Sequence, residues 1–226
     1  CALPIFTFAA PQRARYVHSP KRSHELALER IGRCLKGAAS GGLILKPSKP
    51  SGKCAIGIFV DAGFASGWGT EEGASPGSAK PRAGCAAELA GCPATWRSKL
   101  QASVAAPAME AEYTALSMAL RAAIPLLDVT QAITAGLNAS DGRIATFKAT
   151  LHEGNQGALA LAGPPAGRDT PRSKFYALKL HWFRSWLEPK KVELKYIKSA
   201  QQKADFLTKA LATPAYKDNR SLPMGW

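Results

Sequence analysis

Apolar positions along this chain follow two different periods. Ser23–Lys36 (SHELALERIGRCLK) has helical spacing, with Leu28, Ile31 and Leu35 on one stripe, Ser23 as its N-cap and Gly37 ending the run. Gly41–Lys46 (GGLILK) reads as a short strand, and Lys46–Lys53 (KPSKPSGK) as a linker. From Cys54 the pattern turns to strands. Ala55–Asp61 is an apolar run ending in a carboxylate, and Gly63–Pro81 is a long loop. Gly84–Leu89 and Ala94–Leu100 read as a hairpin turning at Gly91-Cys92-Pro93. Met109–Ala123 is a helix, Arg143–Leu151 a strand and Asn155–Ala162 a short helix. Lys174–Leu187 is an amphipathic helix carrying Leu178, His181, Trp182 and Trp186; Val192–Ile197 is a strand, and Gln202–Leu211 a last helix. This order predicts an α/β fold, with an antiparallel hairpin at one end and parallel strands after the first long helix.

Composition narrows the class. The chain has 226 residues, 46% of them apolar, enough for a substantial core without staples. Ala115–Leu127, the most apolar stretch, is short and interrupted by Arg121 and Pro125, so no membrane span is expected. No secretory leader pattern opens the chain, and Cys1 in place of Met marks a processed product, a fragment or part of something longer. Cys1, Cys34, Cys54, Cys85 and Cys92 are odd in number and contain no C-x-x-C pair, which points to a reducing intracellular compartment. His18, His24, His152 and His181 do not cluster with them, so no zinc site is expected.

Charge is unevenly placed. Residues 1–50 carry nine Lys/Arg against two Asp/Glu, residues 51–150 eight of each, and residues 151–226 thirteen against six. Two basic flanks around a neutral middle suggest a polyanion track beside a site that needs its own carboxylates. A solvated basic surface explains the same counts.

Two-metal phosphodiester chemistry needs clustered carboxylates holding two divalent ions about 3.5–4 Å apart. Asp61 ends the first strand; a turn-initiating Asp would look the same. On the helix from Met109, the residues Met109, Tyr113, Leu116 and Leu120 define the apolar stripe. Glu112 lies roughly 60° from its centre and Glu110 roughly 100° on the other side, so Glu112 is at the boundary and Glu110 is more solvated. Either could simply be an acid in a first helical turn. Asp205 starts a helix between Lys203 and Lys209.

Taken in order, these segments resemble the ribonuclease H domain at the C-terminus of copia-type LTR retrotransposon Pol polyproteins. The resemblance runs through HELALERIGRCLKG (24–37), similar to the segment joining reverse transcriptase to ribonuclease H, then GLILKPS (42–48), VDAGFASGWG (60–69) and GCPATWRSKLQ (91–101). It is strongest at MEAEYTAL (109–116), and continues through NQGA (155–158), HWFR (181–184), KADFLTKAL (203–211) and the closing MGW (224–226).

The resemblance implies a ribonuclease H-like fold, a five-stranded mixed sheet flanked by helices. It implies a basic extension over 1–50, the ribonuclease H-like domain over 51–213 and a tail over 214–226. It further implies hydrolysis of the RNA strand of an RNA–DNA hybrid with two Mg2+ ions. Asp61, Glu112 and Asp205 are the implied catalytic and metal-binding acids. Arg97, Lys99, Asn155, Gln156, Lys174, Lys179 and Lys203 are the expected contacts to hybrid or structured RNA. The family's third acid falls at Gly154. Strand alternation turns the adjacent Glu153 away and puts His152 on the face of position 154, and an imidazole is a poor Mg2+ ligand. Gly63, Pro107 and Phe175 also depart from the family pattern. Weak or absent cleavage is therefore expected, with the fold and basic groove retained. The competing reading is a co-opted, non-catalytic RNA-binding or structural subunit of a larger assembly. An Arg-containing, acid-poor N-terminus also allows an organellar leader.

Overall fold

The computed structural model describes residues 4–47, 53–64, 76–105, 108–141, 146–163, 177–187 and 192–224. Five strands form one sheet: β1 (Lys53–Gly63), β2 (Arg82–Leu89), β3 (Cys92–Leu100), β4 (Thr146–Glu153) and β5 (Val192–Tyr196). Their spatial order is β3-β2-β1-β4-β5. β2 is antiparallel to both β1 and β3, whereas β4 runs parallel to β1 and to β5. The predicted mixed α/β sheet is thus present. The hairpin turns on Ala90 and Gly91, at φ 52° and 81°, one residue earlier than expected. Both positions lie in the left-handed region that two-residue hairpin turns require. Cys92 and Pro93 belong to β3, an edge strand, where a proline costs no internal ladder bond.

Among the described residues six α-helices complete the fold: α1 (Ala9–Ala14), α2 (Arg22–Gly37), α3 (Ala108–Asp141), α4 (Gln156–Ala162), α5 (Ala177–Leu187) and α6 (Thr213–Met224). Alternation along the strands separates two faces. Ile56, Ile58 and Val60 of β1, Ala83, Cys85 and Ala87 of β2, and Ala149 and Leu151 of β4 face α3. α3 answers with Ala111, Ala115, Leu116, Ala119, Leu120, Ala123 and Leu127, all buried. The alanines let helix and sheet approach closely, while Phe183 of α5 meets Tyr113 edge-on at 6.0 Å, a geometry worth about 0.5–1.5 kcal/mol beyond area burial. On the other face Phe59 and Ala86 pack against Ile197, Ala204, Phe206 and Leu207. A third cluster joins Ile5 and Phe6 to Met224 of α6, with Ile31, Leu43 and Tyr216 against it.

Several elements differ from the sequence reading. α3 runs far past Ala123 and straight through Pro125. Pro125 is exposed, so its missing backbone donor falls on the solvent side, where a long helix tolerates stretched bonds. By length and composition alone Ala108–Gly136 is long and apolar enough to cross a membrane. Here its inner stripe is the core helix. In α2, Lys21 rather than Ser23 is the N-cap, and its N–H donates to His24 Nδ1 at 3.0 Å. The stripe of α2 is not buried as a unit: Leu28 and Leu35 are exposed and only Ile31 packs inward. Residues 41–47 carry no strand. On the described part of α5 Phe183 is fully buried and Leu187 buried; Trp182 and Trp186 are partly buried and His181 is exposed. The helix expected over Gln202–Leu211 is replaced by 3-10 turns at Ser199–Gln201 and Asp205–Leu207, and α6 was not anticipated.

Candidate active site

The end of β1 carries Asp61 onto the face opposite α3. The segment after β5 crosses that face, held by Gln202, whose Nε2 donates to Val60 O at 2.7 Å. This crossing brings Thr208, Lys209 and Asp205 to Asp61. The Thr208 hydroxyl donates to Asp61 Oδ2. Lys209 Nζ lies 3.1 Å from Asp205 Oδ1 and 3.7 Å from Asp61 Oδ2. Burial and the Asp61 charge raise the Asp205 carboxyl, against the pull of Lys209.

Glu112 reaches the same end of the sheet from α3, accepting the Ala62 N–H. Burial, then Glu153 and Asp61, push it up to about 9. Glu153 closes β4 and is 1% exposed. Its Oε1 accepts the Asn155 N–H at 2.9 Å, and the Gly154 N–H also donates to the carboxylate. Burial, with Asp61 adding to it, pushes Glu153 up to about 8. The expectation that Glu153 turns away is therefore incorrect. β4 ends at Glu153, so alternation cannot be carried to position 154. Leu151 and Glu153 share the face of α3, and α3 is the element that presents Glu112. His152 is on the opposite face, stacked on Phe59 at 4.8 Å, and burial together with Lys195 and Lys203 lowers its pKa.

Four carboxyl groups and one ammonium thus lie within reach of each other's charge. Like charges confined in a low dielectric cannot all ionise without a counter-cation. Glu112 Oε2 and Glu153 Oε2 are buried with no hydrogen-bond partner. An orphaned carboxylate oxygen is costly unless protonated or bound to a cation. The donors are hard oxygens, suited to Mg2+. Among the described residues no three acidic, His or Cys side chains stand arranged to hold one ion. Lys209 is the cation that Asp61 and Asp205 hold.

The expected nucleic-acid contacts divide. Arg97 and Lys99 are exposed on edge strand β3, and Gln156 is exposed at the start of α4. The Asn155 side chain is the N-cap of α4, accepting the Ala158 N–H at 3.0 Å. Lys203 pairs with Glu88 at 2.5 Å and lies over the Phe59 ring at 5.0 Å, on the opposite face. Lys174 lies outside the described residues, as does the side chain of Lys179. Sequence reasoning missed Glu153, Thr208 and Lys209. The run Ala149-x-Leu151-x-Glu153 held a signal for the first, an acid ending the apolar register of a buried strand.

The architecture is a five-stranded mixed sheet in the order β3-β2-β1-β4-β5 with helices packed on it. The chain is similar to a segment of retrovirus-related Pol polyproteins of Arabidopsis thaliana. It is 26% identical to those from transposons RE2 and RE1, over 216 and 215 residues, which is 95% of this chain and 13% of each polyprotein. Among solved structures it is similar to the N-terminal RNase H domain of rv2228c from Mycobacterium tuberculosis, with 14% identity, 74% of this chain and 96% of that one covered, and a TM-score of 0.42. It is also similar to RNase H1 from Halobacterium salinarum, with 15% identity, 69% and 94% coverage, and a TM-score of 0.37. No family model matches the chain.

Proposed function

We propose that this chain binds an RNA–DNA hybrid and hydrolyses its RNA strand slowly, using Asp61, Glu112, Glu153 and Asp205. The observation that carries this reading is the gathering of these four acids at one end of the sheet, where Glu112 Oε2 and Glu153 Oε2 are buried with no hydrogen-bond partner and Asp61 and Asp205 share Lys209. Mg2+ held by these carboxylates would activate water and stabilise the leaving oxygen. Thr208 fixes the Asp61 rotamer through its hydroxyl. The Gly154 and Asn155 N–H groups hold the Glu153 carboxyl in place, and its Oε2 is left without a hydrogen-bond partner. Lys209 neutralises Asp61 and Asp205, and a divalent ion held by these acids would compete with its ammonium for the same oxygens. Glu153 is one residue from the position where the resemblance expects the third acid, which also argues for weak activity. Arg97, Lys99 and Gln156 supply exposed contacts for phosphates and sugars.

Cleavage of a fluorescently labelled hybrid in Mg2+ or Mn2+ tests the reading. Slow RNA-strand cleavage is expected, abolished by Asp61→Asn. Cleavage that survives Asp61→Asn, or absence of hybrid binding, overturns it. Hybrid binding without any cleavage would instead establish the non-catalytic subunit.

A further inference from the structure

A cavity of about 520 Å³ lies between the N-terminal helices and the segment that carries Lys209 and α6. That volume is within the range of small-molecule sites, about 300–1,000 Å³. Phe6, Phe8, Phe206 and Tyr216 give it aromatic walls, and Arg13, Arg30 and Lys209 line it with positive charge. No acidic side chain lines it among the described residues. Its N-terminal wall is tied to the sheet: Arg82 Nη2 donates to Gln12 Oε1 at 2.7 Å, and the guanidinium lies over the Phe8 ring at 5.4 Å. The Tyr216 O–H donates to Ile5 O at 3.4 Å, which ties the cavity's C-terminal wall to its N-terminal one.

We propose that this cavity binds a small anion carrying an aromatic ring. Aromatic walls favour offset or edge-on packing of a ring. Arg13 and Arg30, with no acid in the described lining, select a carboxylate, sulfonate or phosphate over a neutral or cationic head. The site is separate from the carboxylates but shares Lys209 with them, so an anion here competes with Asp61 and Asp205 for that ammonium. This last link rests on the proposed function; the binding does not.

The test uses the full chain and two probes of the same rings, anionic 8-anilinonaphthalene-1-sulfonate and neutral N-phenyl-1-naphthylamine, titrated by fluorescence and calorimetry. One sulfonate probe per chain is expected, bound about tenfold or more tightly than the neutral probe. Arg13→Ala with Arg30→Ala should remove that advantage while leaving neutral-probe binding in place. Ala27→Trp, which fills the cavity, should abolish both. Equal affinity for the two probes, or full sulfonate binding by Ala27→Trp, overturns the proposal. If Ala27→Trp fails to fold by circular dichroism, the two-probe comparison on the unmodified chain still decides. Neither arm contains metal or hybrid, so its failure and that of the nuclease reading are distinguishable.

Discussion

Lys209 Nζ lies 3.1 Å from Asp205 Oδ1, an ion pair made within one turn of chain beside Asp61. A pair so placed competes with any divalent ion for the same oxygens. Lys209→Met removes the competitor and leaves two acids repelling each other. The variant should therefore be less stable without metal and recover in excess Mg2+. Its Mg2+ affinity, read by calorimetry, should rise about threefold to tenfold, the worth of a partly exposed ion pair. Unchanged or weaker affinity would show that Lys209 helps to hold the metal site together.

The raised glutamates predict a pH dependence of stability. Glu112 is pushed up to about 9 and Glu153 to about 8, whereas both ionise near about 4.3 once unfolded. Between these values the folded state binds more protons, so stability falls as pH rises. His152 is lowered and has already lost its proton above neutrality. Urea unfolding should therefore show lower stability at about pH 8.5 than at about pH 7, with a slope of at most about 1.4 kcal/mol per pH unit for each group. Glu112→Gln with Glu153→Gln should flatten the profile and stabilise the upper end. A flat profile in the unmodified chain would place these carboxyls outside a common field.

Legibility in the sequence followed physical range. β1 and the first turns of α3 were readable because their periods are local and strong, and Asp61 and Glu112 fell at a strand end and a stripe boundary. The C-terminal third was harder. Asp205-Phe206-Leu207 has the spacing of a helix, but it lies over the sheet as a 3-10 turn because Phe206 and Leu207 are buried against Phe59 and Ala86. No local pattern encodes that partner, 147 residues from Thr208 to Asp61. Alternation holds only within β4, which ends at Glu153, so it does not place position 154. Periodicity along α2 reports amphipathicity and not what covers the stripe, and Leu28 and Leu35 are exposed.

Gly154 offers a direct comparison of two acid positions. A Cβ there meets only Ile197 O, at an ordinary 3.7 Å, so Gly154→Asp should fold normally. If a carboxylate at the strand end holds metal better than Glu153 does, hybrid cleavage should rise at least about tenfold, the scale on which metal-site partners act. Glu153→Gln should lower the slow activity of the unmodified chain. Activity unchanged in both variants would mean that the end of β4 takes no part in the reaction.

Gly84 of β2 controls how closely the C-terminal crossing can approach the sheet. A Cβ at this position would stand 2.6 Å from Thr208 Cγ2 and 2.9 Å from Leu207 Cβ. Neither neighbour can yield freely: Leu207 is fully buried, and Thr208 is held by Asp61. Gly84→Ala must therefore lift the segment carrying Asp205 and Lys209, costing about 1–3 kcal/mol as overpacking does. Urea denaturation should show that loss, and divalent binding should weaken with it because Asp205 moves away from Asp61. Gly32→Ala on α2, where an added Cβ meets nothing within 4 Å, is the matched control and should hold or raise stability. Equal stability of Gly84→Ala and the unmodified chain would show that the crossing is not packed against β2 at this contact.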